Sequence, residues 1–278
     1  MDSEIIFYNG EFVKDKIYYQ FLKDRGLNFS ESVYEVIRYK EGVLICFDDH
    51  MERMEKGLRE IGIKNPLKRK DWENICFEIA RKKGGDELSI YIQVTGGTAE
   101  REHFIKDRRK PNYFVFAQKI PYIPHKFKVV LYPEIRWKKN NIKTTNLLPN
   151  VLAKFYAKKK NYDEAIFFEK DGAIKEGTTS NIFYEKDGIF FTPLSKGILL
   201  GVTRKRFIEF LQRKGKSVIE RRVFIWDLFD ADGVYLTGTT TELKPVCSIN
   251  KIEIKLNKNY KIIEKEFVDY LLKISKKE

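Results

Sequence analysis

Four short stretches of this sequence combine side chains capable of chemistry with local signals for the end of a strand or the start of a helix. Lys143 lies within Asn140-Asn141-Ile142-Lys143-Thr144-Thr145-Asn146, where extended chain meets an expected helix. A lysine held there partly out of water is an amine nucleophile; one left in water is an ordinary surface residue. Glu176-Gly177 precede Thr178-Thr179-Ser180-Asn181, polar side chains running into Ile182-Phe183, which suits a ligand-lining loop or a plain turn. Gly201-Val202-Thr203-Arg204 opens a helix, whose unpaired N–H groups can receive a phosphate or be satisfied by a threonine cap. Thr237-Gly238-Thr239-Thr240-Thr241-Glu242 offers hydroxyl groups at a strand end, either as anion ligands or as a β-rich turn.

Other chemistries are excluded by what the chain lacks. It has no GxSxG, no GxxxxGK[ST], no HExxH and no GxGxxG after a strand; Gly96-Gly97 follows a strand without phosphate-loop spacing. Three histidines, His50, His103 and His125, do not support a multi-histidine metal centre. The three cysteines, Cys46, Cys76 and Cys247, are too far apart for a zinc motif, and their odd number argues for a reducing compartment. Asp2 and Glu4 speak against a secretory signal, and no apolar run is long enough to span a bilayer, so a cytoplasmic protein away from membranes is expected.

Hydrophobic residues make up 42% and charged residues 33%, a globular balance, and 278 residues suffice for one large or two modest cores. The net charge of +13 comes from 53 Lys and Arg against 40 Asp and Glu. Its densest clusters (68–70, 106–110 and 158–160) are broken by other residues and carry no interleaved aromatics. A solvated lysine surface or an anionic small ligand therefore fits better than nucleic acid.

The elements that must position these residues follow from periodicity. Strands are expected over 5–13 (with a turn at Asn9-Gly10), 34–39, 43–47, 88–95, 112–118, 127–132, 164–169, 234–236 and near Val246. Asp171-Gly172 and Asp187-Gly188 read as hairpin turns. Helices are expected over 50–61, 70–82, 147–159, 203–213 and 263–274. Pro121 and Pro124 mark a linker over 121–125 between a small domain, 1–120, and a larger one, 126–278. Strands outnumber helices and hairpins are common, which predicts two α+β domains and not a doubly wound sheet.

The order of these pieces resembles the fold-type IV pyridoxal-phosphate enzymes, which include D-amino acid aminotransferases, branched-chain aminotransferases and aminodeoxychorismate lyases. The resemblance spans nearly the whole chain. It rests on Asp24-Arg25-Gly26, Val33-Tyr34-Glu35-Val36, His50-Met51-Glu52-Arg53, Ile135-Arg136-Trp137, Ile142-Lys143, Asn146-Leu147-Leu148, Val151-Leu152-Ala153-Lys154, Glu176-Gly177 with Ser180-Asn181, Leu199 to Arg204 and the threonines before Glu242. It implies a small α/β domain beside a larger β-rich pseudo-barrel, and pyridoxal 5'-phosphate as cofactor. Lys143 is then the amine joined to the cofactor, and Glu176 keeps the ring nitrogen protonated. Arg53, the backbone of Val202 and Thr203 and the Thr239 hydroxyl grip the phosphate; Leu199 packs beneath the ring and Thr179 stands near its face.

Within that family, the Arg101-x-His103 pair after a strand, with Tyr34, resembles the carboxylate trap of the D-amino acid aminotransferases. Gly96 stands where that subgroup often has arginine, Thr178 and Thr179 where serines are common, and Leu200 replaces a more polar residue. The resemblance implies amino transfer from D-alanine and other D-amino acids to 2-oxoglutarate by a homodimer, with neighbouring subunits helping to close each active site. A branched-chain L-amino acid aminotransferase or an aminodeoxychorismate lyase would share Lys143 and Glu176.

Overall fold

The computed structural model describes residues 5–14, 23–105, 110–194 and 196–276; the basic cluster expected at 106–110 lies outside them except for Lys110. Contacts divide the chain into two compact units. The first comprises 1–121 with 142–146 and 274–278, the second 122–141 with 147–273.

In the first unit the strands are β1 (Ile5–Tyr8), β2 (Glu11–Lys14), β3 (Ser32–Lys40), β4 (Val43–Leu44), β5 (Glu87–Thr95) and β6 (Asn112–Lys119). They form an antiparallel sheet in the order β2-β1-β6-β5-β3-β4. Short α1 (Arg25–Phe29) precedes β3, and α2 (Phe47–Glu60) and α3 (Arg69–Lys83) follow β4. Alternation along the strands sends Val33, Ile37, Ile90, Ile92, Val94 and Val115 into one core with Met51, Met54, Leu58, Trp72 and Ile79 of the helices. The opposite face carries Tyr34, Tyr91, Phe114 and Phe116, whose rings stack at 5.0–6.1 Å around Tyr91. The expected strand over 43–47 is cut short because Cys46 takes a left-handed conformation (φ 51°), which turns the chain directly into α2. Asp48 and Asp49 in its first turn suit the helix dipole.

In the second unit β7 (Phe127–Pro133) leads through α4 (Leu148–Lys159) to the parallel β8 (Glu164–Phe168), then to β9 (Ile174–Gly177), β10 (Asn181–Lys186) and β11 (Ile189–Pro193). A second crossover, α5 (Val202–Arg213), leads to β12 (Val218–Arg221), parallel to β11. After α6 (Ile225–Phe229) come β13 (Gly233–Gly238), β14 (Glu242–Ile249), β15 (Ile252–Glu253) and α7 (Tyr260–Ser275). The nine strands form a curled, incompletely closed sheet, order β12-β11-β10-β13-β14-β7-β8-β9 with β15 on β14. Ile166, Ile182, Leu236, Val246 and Ile249 fill one side of it. On the other, Phe207 of α5 meets Phe183, Phe190 and Phe267 of α7 edge-on at 5.0–6.0 Å. The α+β class with a β-rich pseudo-barrel is as expected. No helix among the described residues is long and apolar enough to cross a membrane.

Candidate active site

The first unit builds its polar centre from strand alternation. Glu35 shares the core face of β3 with Val33 and Ile37 and is completely buried. An anion there needs donors, and α2 supplies two from residues three apart on one face. Glu35 accepts from His50 Nδ1 at 2.7 Å, and in a two-pronged contact from Arg53 Nε at 2.8 Å and Nη2 at 2.7 Å. Burial works to raise the Glu35 carboxyl, but the charge and hydrogen bonds of Arg53, with those of His50, outweigh it and hold it at about 2. Because Glu35 is ionised, it is the protonated Nδ1 of His50 that donates. Burial holds His50 below its ordinary value against the pull of Glu35, with the charges of Arg53 and Lys143 adding to the effect.

This centre makes the fold acid-sensitive. Both groups bind protons more readily once unfolded, so stability falls with pH in both windows. The loss begins below about pH 6.5 as unfolded His50 takes up a proton, and continues from about pH 4.5 towards 2 as unfolded Glu35 does so. The Glu35 part amounts to about 3 kcal/mol. Urea midpoints measured from pH 8 to pH 3 should decrease monotonically, and His50→Gln should flatten the upper part of that decrease.

Lys143 belongs to this same unit. Its carbonyl accepts from the Tyr34 N–H at 3.0 Å, Thr144 bridges to Val33, and Ser32 Oγ meets Thr145 Oγ1 at 2.5 Å, so residues 142–146 are fastened along β3. The half-buried Lys143 Nζ stands 4.2 Å from the Tyr34 ring centroid, a cation–π contact. Arg101 and His103 are exposed and gather at Phe29, the Arg101 guanidinium 5.4 Å from its ring and the His103 ring 5.4 Å away. Among the described residues no hydrogen bond or ring contact joins Tyr34 to Arg101 or His103.

In the second unit Glu176, buried at the end of β9, is surrounded by donors. Arg136 Nη1 lies 2.5 Å from Oε1, Asn181 Nδ2 2.9 Å from Oε2, and the Leu199 N–H reaches both oxygens at 3.0 and 3.1 Å. Glu134 holds Arg136 at 2.6–3.1 Å, and Phe167 lies 4.4 Å from the guanidinium carbon. Burial pushes Glu176 up, while Arg136 and the Leu199 N–H oppose it. Every partner is a donor, so the acceptor-only carboxylate is the form these surroundings fit. The side chains of Arg136, Asn181 and Glu35 had no role assigned from sequence. The detectable signal was an ionisable Glu35 at an apolar position of an alternating strand, with His50 and Arg53 spaced to meet it.

The N-terminus of α5 has no side-chain cap at Gly201, and Val202 and Thr203 are buried at its first turn. Their N–H groups precede the first helical bond, from Lys205 to Gly201, and so have no intrahelical acceptor. Thr239 is half-buried in the turn between β13 and β14. Thr179 is exposed, its hydroxyl donating to the buried Glu164 at 3.0 Å. Leu199 is half-buried, pinned by Glu176 at its N–H and by Asn181 at its carbonyl.

These features suit pyridoxal phosphate. Two buried hydroxyls, Ser180 Oγ and Thr237 Oγ1, have no partner among the described atoms. Gly201 and Gly238 are closely approached by the protein itself: a Cβ there would fall 2.1 Å from Asn181 Oδ1 and 3.2 Å from the Thr179 carbonyl. Within the second unit, the buried Glu176 carboxylate is a group able to accept from a protonated ring nitrogen, and the uncapped start of α5 is able to receive a dianion.

Residues 32–249 match the family described as amino-transferase class IV. The D-alanine aminotransferase of Bacillus licheniformis is 33% identical over 239 residues, 82% of each chain. The branched-chain aminotransferase of the archaeon Thermoproteus uzoniensis superposes with a TM-score of 0.88 over 97% of this chain and 95% of its own, at 23% identity. The branched-chain amino acid aminotransferase of Escherichia coli gives 0.87 over 97% and 95%, also at 23% identity. The chain belongs to the class IV aminotransferases. It is accordingly a pyridoxal-phosphate-dependent enzyme.

Proposed function

We propose that the enzyme is a D-amino acid aminotransferase. It moves the amino group of D-alanine and related D-amino acids to 2-oxoglutarate, giving pyruvate or another 2-oxo acid and D-glutamate. The observation that carries this reading is the exposed guanidinium of Arg101, set on Phe29 beside His103. Among the described residues it has no ion-pair partner, although Lys23 and Glu100 nearby are paired at 2.6 Å, and it shares the Phe29 ring with His103. A guanidinium fork with an imidazole beside it suits an α-carboxylate, and the 33% identity to a D-alanine aminotransferase supports the same choice.

The bound cofactor supplies an electron sink for the Cα–H electrons of the amino acid. Lys143 would hold the cofactor, and its amine would take the proton from Cα and pass it on. Glu176 would keep the cofactor's ring nitrogen protonated, with Arg136, Asn181 and the Leu199 N–H setting its oxygens. Arg53, oriented by Glu35, would hold the phosphate together with the Val202 and Thr203 amides and the Thr239 hydroxyl. Leu199 and Thr179 would help to hold the ring. Tyr34 completes the carboxylate trap with Arg101 and His103 in a homodimer, each copy supplying what the other lacks.

Purified enzyme with cofactor, 2-oxoglutarate and D-alanine should form pyruvate and D-glutamate. L-leucine in place of D-alanine should react slower by about 100-fold or more. The reverse preference would make the enzyme a branched-chain L-amino acid aminotransferase and leave Arg101 and His103 with another task. Formation of pyruvate from aminodeoxychorismate alone would indicate the lyase.

A further inference from the structure

The segment carrying Arg101 and His103 rests on a group that the functions above do not use. Arg25, in α1, is cationic yet only 7% exposed. Its Nε donates to the Glu31 carboxylate, its Nη1 to the Glu102 carbonyl at 2.5 Å and its Nη2 to the His103 carbonyl at 3.3 Å. One guanidinium therefore holds two consecutive peptide oxygens of the segment 101–103. Its Cζ also lies 4.6 Å from the centroid of Phe29, the ring that Arg101 and His103 share.

The surrounding backbone reinforces this hold. Arg25 N–H donates to the Gly97 carbonyl at 3.0 Å, Gly96 N–H to Glu31 at 2.8 Å, and Ala99 N–H to Lys23 at 3.0 Å. Gly96 makes room for the arrangement: a Cβ there would fall 2.7 Å from the Glu31 carboxylate carbon and one of its oxygens. The missing side chain at position 96 and the Arg25–Glu31 pair are thus two parts of one device. Electrostatics agrees with the geometry. Glu31 pairs with Arg25 and Glu100 with Lys23, so neither carboxylate is placed on Arg101.

We propose that Arg25 is a positioning residue for substrate recognition. It fixes the Glu102 and His103 carbonyls so that Arg101 and His103 are presented together, against Phe29, to the α-carboxylate of the amino acid or 2-oxo acid. Glu31 holds Arg25 for this task, and the absence of a side chain at Gly96 admits Glu31. The proposal rests on the reading of Arg101 and His103 as a carboxylate trap.

The test compares wild type, Arg25→Met, Arg101→Ala and the double variant in the cofactor-loaded enzyme. The readouts are KM and kcat for D-alanine, the cofactor absorbance band and thermal melting. Arg25→Met should raise KM about tenfold to a hundredfold, with kcat within about threefold of wild type and the band intact. The double variant should lose less than the product of the two single effects, because Arg25 acts through the segment that Arg101 shares with His103. An unchanged KM in Arg25→Met, with a raised KM in Arg101→Ala, would overturn the positioning role and leave the trap standing. Multiplying effects in the double variant would mark Arg25 as merely structural. An Arg101→Ala variant with unchanged KM would show that the trap itself is wrong. Gly96→Ala covers the case in which Arg25→Met does not fold. Its Cβ displaces Glu31 from Arg25, so KM should rise several-fold; no change would overturn the proposal.

Discussion

Replacing Lys143 with alanine should lower turnover by at least about 10⁴-fold while leaving the fold intact, because Lys143 is proposed as both the amine that joins the cofactor and the base that moves the Cα proton. The fold should survive because Lys143 is held by its backbone. Its carbonyl accepts from Tyr34, Thr144 bridges to Val33, and the neighbouring Ile142 is buried in the first unit's core. None of these contacts needs the side chain beyond Cβ; among the described residues the variant loses the cation–π contact with Tyr34 and the charge that bears on His50. Thermal melting of apoenzyme should therefore shift by no more than a few degrees, since such a contact contributes about 0.5–1 kcal/mol at a partly exposed site. Absorbance spectra and single-turnover kinetics check the first part, calorimetry the second. A variant that retained even a hundredth of wild-type turnover would mean that another lysine does this work.

The second large effect concerns stability. Glu35→Ala should destabilise the enzyme by about 3–5 kcal/mol, because it removes the buried carboxylate that bonds the mostly buried Arg53 guanidinium through two nitrogens. Arg53 is 14% exposed at its side chain, and two of its nitrogens bond Glu35. The variant also leaves the His50 Nδ1–H without the carboxylate it bonds at 2.7 Å. A second substitution, Arg53→Met, should recover part of the loss in stability, because removing both charges from a buried site is milder than removing one. It should not recover cofactor affinity, since Arg53 is the proposed phosphate ligand. Urea unfolding and cofactor titration of the two variants separate these outcomes. Equal stability of Glu35→Ala and wild type would mean that Arg53 finds water or another partner.

Much of the architecture was legible from periodicity. Helical spacing of Met51, Met54 and Leu58 located α2, and the paired Asp-Gly turns located the hairpins that follow β8 and β10. Shorter elements escaped. The five residues of α1 offer too little length for a helical period, and their start is set by Asp24, whose carboxylate accepts from the Gly26 and Leu27 N–H groups. The weakly patterned β12 depends on its parallel pairing with β11. Site residues followed the same division. Lys143 and Glu176 stood out by their place in ordered motifs. Arg136 was quoted in such a motif without a role, because its link to Glu176 spans forty residues and comes into being only when β7 and β9 are folded. Arg25 was quoted as part of a motif, but its contact with the carbonyls of Glu102 and His103 bridges more than seventy residues and leaves no local pattern.

Peptide mapping tests most directly whether Lys143 carries the cofactor, as proposed. Holoenzyme reduced with borohydride, digested and analysed by mass spectrometry should show the phosphopyridoxyl group on the peptide containing Lys143 and on no other. Prior addition of D-alanine should remove that label, since the amino acid displaces the lysine. Label on a different lysine, or none on enzyme that is active with added cofactor, would contradict the account.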